Sequence, residues 1–337
     1  MPRFMKGLGV TLLVLLLLAA IAISATVGWR PILGPRMRAL TDRKFEVTPE
    51  RQKRGAYLAE HVSGCTYCHS PSQDGPSGQE IVAAKKGSGQ IFAIPGLPGT
   101  VVAPNITPDA ETGMANWTDD QLARAIREGI SHDGHALFPF MPYSHFRQMS
   151  DEDLASIVAY LRSLPPVRNK LPATKIDFPV KYLIRNAPEP VTEAVQVDMS
   201  NPVSRGKYLV AMAVCSECHT ASKRGQPVAG MHFAGGQTFD LSSGKVASAN
   251  ITPDAATGIG NYTEEMFIKA MRTGYVGTRQ LNTLMPWQFY SGQTDEDIKA
   301  MYAYLRTLPP VSHHVDNSKP ATACRKCGAA HGAGDSN

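Results

Sequence analysis

The sequence lacks the basic clusters that would indicate a nucleic-acid partner. The net charge is only +5 over 337 residues, charged residues make up 19% of the chain, and no basic run is interleaved with aromatic residues. Nucleic-acid binding needs a concentrated basic surface, so we expect no such partner. Long hydrophobic runs are also missing, except at one end. The length suffices for about two domains, and the rest of the composition is that of a soluble globular protein.

Cysteine is scarce, and four of the six residues fall in two copies of one pentapeptide. In Cys-x-x-Cys-His, the two thiols form thioether bonds to a haem and the adjoining imidazole binds its iron. The alternative for each copy is a structural or redox cysteine pair. The pattern predicts two covalently bound haem c groups, with these attachment cysteines and axial histidines: Cys65, Cys68 and His69, then Cys215, Cys218 and His219.

The one long apolar run, Leu8 to Val27, contains twenty uncharged residues. A helix of about 20 apolar residues spans a membrane. The run is consistent with a secretory signal or an uncleaved anchor. Signal cores usually have only about 7–15 apolar residues, and no clean small-x-small cleavage site follows, so residues 1–30 are interpreted as an anchor. The flanking charges leave its orientation open. Because c-type haem is attached outside the bacterial cytoplasm, we expect a single-pass inner-membrane protein with periplasmic haem domains.

The two pentapeptides belong to an internal duplication. The offset is 150 residues from His69 to His219 and 144 from Met141 to Met285. Shared landmarks at a nearly constant offset predict a repeated domain. The landmarks include Asn105-Ile106-Thr107-Pro108-Asp109, which recurs from Asn250 to Asp254. We place domain 1 at 48–167, a proline-rich linker at 168–202, domain 2 at 203–311 and a flexible tail at 312–337.

Helix signals recur at matched places in both repeats and predict an all-α fold of two tandem domains after the transmembrane helix. Domain 1 shows a Thr48-Pro49 start, a Thr118/Gln121 capping box, and a Ser150 cap with a stop at Pro165. The linker is expected to pack along the domains through Phe178, Tyr182 and Leu183. Two matched glycines, Gly55 and Gly206, are expected to permit close helix crossings beside Tyr160 and Tyr304.

The second axial ligand of each iron is predicted to be a methionine. Met141 and Met285 are each followed by proline and occupy matched loops before the last helix. His/Met ligation raises the reduction potential relative to two imidazoles and leaves no open coordination site. Both properties favour electron transfer over catalysis at the iron. The competing candidates, interpreted as solvated surface histidines, are His132, His135, His145, His313 and His314.

Two further features, a pair of matched arginines and a third cysteine pair, each have more than one interpretation. Arg127 and Arg272 match across the repeats, and are either partners of haem propionates or exposed helix charges. Cys324 and Cys327 form a third pair with no histidine directly after it, so we expect a disulfide and not a third haem.

The chain resembles the bacterial mono- and dihaem class I cytochromes c, especially the cytochrome subunits of membrane-bound alcohol, gluconate and related dehydrogenases. The resemblance covers about residues 50–311 and rests on Arg-Gly-x-Tyr-Leu, Asn-Ile-Thr-Pro-Asp, the Met141 loop and Leu-Pro-Pro-Val. It implies small all-α haem domains with the axial pairs His69/Met141 and His219/Met285. Those subunits usually carry three haem motifs, whereas this chain has two. The Met285 loop also lacks a counterpart of Pro139.

These features predict an electron-transfer protein that is not itself an enzyme. Its donor would be a dehydrogenase or a quinol-side protein, and its acceptor a terminal oxidase or a soluble cytochrome. One alternative is a subunit of a multi-subunit dehydrogenase. Another is a dihaem enzyme, such as a peroxidase or a thiosulfate-oxidising enzyme, which needs an open iron site. A cytoplasmic thiol or zinc protein is the third.

Overall fold

The computed structural model describes residues 2–75, 78–92, 94, 96–223, 225–241, 244–317, 322–323 and 330–331. Cys324 and Cys327 lie outside these residues, as does most of the predicted tail, so the disulfide stays a prediction.

The chain begins with helix α1 (Pro2–Thr26), followed by the short helix α2 (Arg30–Leu33). The stretch Gly7–Thr26 has a mean hydropathy of 2.7 and no buried part. Within the described ranges it is the one helix long and apolar enough to cross a membrane. A signal sequence has the same length and composition, so the choice between anchor and signal rests on the sequence argument.

Domain 1 is a helical core with short antiparallel strands at its edge. Its first and last helices, α3 and α7, pack against each other. The elements are α3 (Pro49–Tyr57), a π-helical turn (Leu58–Val62), α4 (Cys65–Cys68), β1 (Ser72–Gly75), β2 (Gly78–Ile81), a 3-10 turn (Ala83–Lys85), β3 (Gln90–Phe92), β4 (Gly99–Ala103), α5 (Asp119–Glu128), α6 (Tyr143–Phe146) and α7 (Asp151–Ser163).

The linker follows domain 1 in the chain, and domain 2 then repeats the order of helices found in domain 1. The linker contains β5 (Lys175–Ile176), α8 (Val180–Leu183) and a 3-10 turn (Ile184–Asn186). Domain 2 contains α9 (Pro202–Met212), α10 (Cys215–His219), β6 (Ser222–Lys223), β7 (Gln226–Pro227), β8 (Thr238–Leu241), β9 (Gly244–Ala247), α11 (Glu264–Thr273), β10 (Tyr275–Val276), β11 (Arg279–Gln280), α12 (Trp287–Tyr290) and α13 (Asp295–Leu305), with β12 (Thr322–Ala323) and β13 (Ala330–His331) beyond it.

The strands form antiparallel pairs, and only β3, β4 and β5 make a three-stranded sheet among the described residues. The predicted all-α fold therefore describes the domain cores. It does not describe the loops that join each pentapeptide to the following Asn-Ile-Thr-Pro-Asp segment. Those loops contain hairpins of two to five residues per strand.

The predicted helix starts are present with their hydrogen bonds. The Thr48 hydroxyl accepts from the amide of Arg51 at 3.2 Å, and Ser150 accepts from Asp153 at 3.1 Å. Thr118 and Gln121 form both halves of a capping box. Each interaction satisfies an amide that the first helical turn leaves without a partner. The middle helix ends at Gly129, whose φ of 70° suits glycine.

The close helix crossings expected at the matched glycines are confirmed. Helix α3 meets α7 at Gly55, where a Cβ would overlap the carbonyl oxygen of Ser156 and lie 2.7 Å from Cβ of Tyr160. Helix α9 meets α13 at Gly206 in the same way, against the Ala300 carbonyl and Tyr304. The glycines let the backbones approach until only a hydrogen atom fits between them.

One structural difference separates the first helices of the repeats. Gly55 lies ten positions before Cys65, whereas Gly206 lies nine before Cys215. The extra residue is accommodated by the π-helical turn that continues α3, since domain 2 has an ordinary helix there. His61 lies in this turn and contacts domain 2, with its Nδ1 3.1 Å from the carbonyl oxygen of Phe289.

The linker packs on domain 1, but not through the residues expected. Strand β5 pairs with β4, and Thr174 bonds to the backbone of Val102. In contrast, Phe178 is 78% exposed, and Tyr182 and Leu183 are 37% and 38% exposed. The prediction that these three side chains pack along the domains is wrong, because backbone pairing and polar side chains hold the linker in place.

Candidate functional site

Each pentapeptide forms one short helix at the rim of a cavity. A left-handed residue precedes it in both domains, Gly64 at φ 68° and Val214 at φ 49°. The backbone reverses there and turns the cysteines and the histidine toward the cavity, which all of them line. Positive φ is strained for a β-branched residue, so Val214 marks a position whose conformation the surrounding packing imposes.

The four thiols are free and weakly acidic. Burial raises the pKa of Cys65 and of Cys215 to about 12, and the neighbouring thiol contributes to both shifts. Burial also raises the pKa of Cys68 and of Cys218 to about 11. A redox-active Cys-x-x-Cys pair instead needs a lowered thiol pKa. The raised pKa of these four thiols differs from that pattern.

The histidines of both pentapeptides are oriented by backbone carbonyls. Nδ1 of His69 is 2.8 Å from the carbonyl oxygen of Pro104, and Nδ1 of His219 is 2.7 Å from that of Ala249. This hydrogen bond places the proton on Nδ1. The lone pair of Nε2 is then available to bind a metal. Burial lowers the pKa of both imidazoles, which favours the neutral form that binds a metal.

The carbonyls that orient these histidines were not found by sequence reasoning. Each belongs to the residue directly before the repeated Asn-Ile-Thr-Pro-Asp segment. The Asn105 amide donates to the Val167 carbonyl at 2.7 Å, and its oxygen accepts from the Thr107 amide at 2.9 Å. Asn250 makes the corresponding bonds to Val311 and Thr252. The asparagines thus anchor the loop that holds each histidine, and the repetition of the motif was the available signal.

The two methionines lie on the same cavity wall as the pentapeptides. Met141 and Met285 are half-buried against the core, and the prolines after them are the N-terminal caps of α6 and α12. Domain 2 compensates for the missing counterpart of Pro139. There the Asn282 side chain accepts from the Leu284 amide at 2.9 Å, which closes the turn before Met285.

One continuous cavity of about 1890 Å³ is lined by both sets of predicted ligands. It contains the attachment cysteines, the histidine and the methionine of each domain on its walls, together with apolar side chains such as Leu122, Ile126 and Met301. The volume, the free thiols and the unpaired Nε2 atoms fit two covalently attached haem groups. The donor sets of thiols, imidazole and thioether suit haem iron.

Four of the five competing histidines contact other protein groups, and the fifth is exposed. His132 stacks on Trp117 at 4.4 Å, and His135 pairs with Asp133, although both rings border the cavity. His313 bonds through Nδ1 to the Ala234 carbonyl, and His314 is exposed. His145 departs from the surface role expected of it, because it pairs with Glu217 of the domain 2 pentapeptide.

The matched arginines form ion pairs within their own domains, and a contact with haem propionates stays a prediction. Arg127 is 3% exposed and binds Asp151 and the carbonyl of Met149. Arg272 binds Asp295 and the carbonyl of Ser291 in the same arrangement. Each arginine joins the middle helix to the start of the last helix, so its guanidinium is used structurally next to the methionine loop.

The two domains contact each other through a reciprocal pair of tyrosines. Tyr57 of domain 1 donates to Asp297 of domain 2 and accepts from the Thr294 amide at 3.2 Å. Tyr208 of domain 2 donates to Asp153 of domain 1 at 2.7 Å and accepts from the Ser150 amide at 3.3 Å. The two contacts occupy matched positions, so an approximate two-fold axis relates the domains.

The pentapeptides take part in the same interface. Phe289 follows Met285 by four residues and packs on Tyr67 with ring centroids 5.8 Å apart. His145 follows Met141 by four residues and pairs with Glu217 at the matched place. His61 adds a contact in which the Gln293 amide donates to its carbonyl at 2.8 Å. The interface therefore fixes the two pentapeptide helices relative to each other.

We expect Tyr57→Phe to lower the free energy of unfolding by about 2 kcal/mol, since the phenol donates to a buried carboxylate. Tyr208→Phe should act alike, and the double variant should lose about the sum because the contacts lie apart. Burial, then Asp297, raises the pKa of Tyr57 to about 12, so this contribution is complete below pH 10 and is lost between pH 10 and about 12.

Urea unfolding of the haem-loaded protein measures these effects. Tyr275→Phe is the control, because Tyr275 is 38% exposed and lies in a domain 2 hairpin. Equal stability of the double variant and the control would refute the reciprocal contact.

Two helical domains that each place a Cys-x-x-Cys-His motif and a methionine on one cavity define a c-type haem protein. A family model for cytochrome c matches residues 52–165 and 203–309. The chain belongs to the cytochrome c family, with two domains of that family and two covalently bound haem c groups.

Similar proteins include cytochrome subunits of dehydrogenases. The chain is 31% identical to the cytochrome c subunit of alcohol dehydrogenase (quinone) from Gluconobacter oxydans, over 77% of this chain and 55% of that protein. It is 29% identical to the fructose dehydrogenase cytochrome subunit of Gluconobacter japonicus, over 82% and 57%. A dihaem cytochrome c of Cereibacter sphaeroides is 27% identical, over 74% and 83%. The chain thus spans little more than half the length of the first two relatives.

Proposed function

We propose that this chain is a membrane-anchored, periplasmic dihaem cytochrome c that transfers electrons from a dehydrogenase or quinol-side donor to a terminal oxidase or a soluble cytochrome. The observation that carries the proposal is the single cavity lined by a complete, matched donor set from each domain. A binding site with both axial positions supplied by the protein suits electron transfer better than catalysis at iron.

In each site the cysteines, the histidine and the methionine have different proposed roles. Cys65 and Cys68 in domain 1, and Cys215 and Cys218 in domain 2, would attach haem covalently. His69 and His219 would bind the iron through Nε2, while Met141 and Met285 would supply the opposite ligands. Haem, when bound, supplies a one-electron iron couple. The protein orients the imidazoles through backbone carbonyls and surrounds the site with apolar side chains that exclude water.

The finer assignments belong to the same proposal. Both domains are assigned to class I, on the order pentapeptide, middle helix, methionine loop and last helix, over the proposed bounds 48–167 and 203–311. The apolar helix Gly7–Thr26 would anchor the chain in the inner membrane, with the haem domains in the periplasm where c-type haem is attached.

Redox-titrated optical and EPR spectra of the intact protein test the proposal. We expect two low-spin haems, a methionine–iron charge-transfer band from both, and no turnover of peroxide. A high-spin signal from either haem, or peroxidase activity, would show an exchangeable iron site and contradict the assignment as a carrier.

A second candidate function is that of a subunit in a membrane-bound dehydrogenase complex. The names of the relatives favour it, since two of them are cytochrome subunits of an alcohol and a fructose dehydrogenase. Purification from mild detergent distinguishes the two functions. A flavin-, quinone- or molybdenum-containing subunit should co-purify in one case, and a lone protein with reversible redox behaviour should be recovered in the other.

A further inference from the structure

An apolar surface lies beside the end of the membrane helix. It is formed by Trp29, Ile32 and Leu33 after α1 and by Phe178, Tyr182 and Leu183 of the linker, which we call the linker patch. All six side chains are exposed, and Ile32, Leu33 and Phe178 reach 61%, 71% and 78%. Single exposed apolar residues are normal, but a contiguous group of this size marks an interaction surface.

The two halves of the linker patch are far apart in sequence and are joined by contacts that span 154 and 159 residues. Arg185 donates to the carbonyl of Pro31 at 2.8 Å, and the Asn186 side chain donates to the carbonyl of Val27 at 3.0 Å. Helix α2 packs against α8. The exposed side chains are therefore presented together by a built structure.

The patch combines apolar, aromatic and basic groups. The ring of Tyr182 contacts Phe178 edge-on at 6.3 Å, and the charges of Lys181 and Arg185 lie 5.0 and 4.9 Å from its centroid. Tryptophan and tyrosine are enriched at the boundary between headgroups and acyl chains. Basic side chains at the same depth bind anionic headgroups, and apolar ones enter the acyl region.

The linker patch lies next to the end of the apolar helix α1, and this position indicates what covers the patch. Helix α1 ends at Thr26, three residues before Trp29, so the patch continues directly from the end of the apolar helix. Residues beyond it are also tied to domain 1, because the Arg38 guanidinium binds the buried carboxylates of Asp120 and Glu128 at 2.7 Å. The distance between the membrane helix and domain 1 is therefore short and fixed.

We propose that the linker patch inserts into the interface of an anionic lipid bilayer and holds domain 1 against the membrane. Ile32, Leu33 and Phe178 also line the cavity, so this contact places the cavity next to the lipid surface. The inference rests on the proposed membrane anchoring, which the experiment tests separately.

The test measures membrane binding by the linker patch separately from membrane anchoring by α1. A protease site is inserted between Val27 and Gly28 of the full chain, the haem-loaded protein is reconstituted into phosphatidylcholine vesicles with and without phosphatidylglycerol, and α1 is then severed. Haem absorbance in the vesicle pellet measures what remains bound. We expect the severed domains to stay on the vesicles, more strongly with phosphatidylglycerol and more weakly in high salt.

Phe178→Glu/Leu183→Glu should lower the vesicle partition coefficient of the severed domains about tenfold or more, because two inserted side chains become charged. The matched control is Val203→Glu/Val228→Glu, two residues of domain 2 that are each 39% exposed, and it should not change the partition coefficient. Haem content must be equal in all proteins.

Equal partition of the severed wild type and the Phe178/Leu183 variant would overturn the proposal. So would a patch-dependent dimer of the severed protein in vesicle-free buffer that shows no patch-dependent lipid binding. Carbonate extraction and N-terminal sequencing of the uncut chain test the anchor itself. A cleaved N-terminus would refute the anchor and leave the partition measurement valid.

Discussion

Met141→His is expected to remove the methionine–iron charge-transfer band of one haem and to lower its reduction potential. The shift should be on the order of 100 mV or more, a fraction of the ~0.8 V that axial ligands span. The thioether favours ferrous iron more than a second imidazole does, so the sign of the change is fixed by ligand chemistry. The band of the other haem should persist because each methionine lies in its own domain.

Met149→Leu is the matched control for this substitution. Met149 is 1% exposed in the same domain, and leucine conserves its volume, so both potentials should stay unchanged. Met285→His should affect the other haem. If both bands survive Met141→His, Met141 is not the ligand, and Met114, a further methionine of domain 1 on the cavity wall, becomes the candidate.

Gly55→Ala is expected to destabilise the protein by about 3 kcal/mol or more, at the upper end of overpacking effects. The added Cβ would overlap the Ser156 carbonyl oxygen, a backbone atom that cannot rotate away. Alanine favours an isolated helix by about 1 kcal/mol over glycine, so a loss of stability must come from the crossing with α7. Moving α3 outward would also displace the pentapeptide that follows it.

Urea unfolding of the haem-loaded variant measures the change, and Gly206→Ala should act equally through the Ala300 carbonyl. Lys53→Ala, at an exposed position of the same helix, should change the free energy of unfolding by less than about 0.5 kcal/mol. An unchanged stability of Gly55→Ala would mean that α3 and α7 do not cross as closely as described.

Local features were predictable because their physics is local. A cap such as Thr118 with Gln121 acts within one helical turn, and the stripe of Leu154, Ile157 and Val158 follows the helical period. All three stripe residues are fully buried. The glycine crossings were also predictable, because Gly55 and Gly206 are matched helix residues without a side chain.

Other parts of the site depend on the meeting of distant segments. Hydrogen bonds to the Pro104 and Ala249 carbonyls carry no side-chain signature, so the sequence contains no direct sign of them. Arg127 could be matched to Arg272 by alignment, yet its partner Asp151 could be chosen only by three-dimensional packing. The prediction that the linker aromatics pack on the domains was wrong for the same reason. The exposure of a side chain depends on which distant groups cover it.

The sequence by itself determined the number of haem-attachment motifs, the duplication, the helix limits and the methionines that match between repeats. These follow from residue types at short spacing or at one repeated offset. Only the tertiary structure decided that Tyr57 and Tyr208 exchange contacts between the domains, that both sites share one cavity, and that Arg185 and Asn186 of the linker bind the segment that follows α1. Such contacts join residues up to 240 positions apart, where no local periodicity or propensity constrains the pairing.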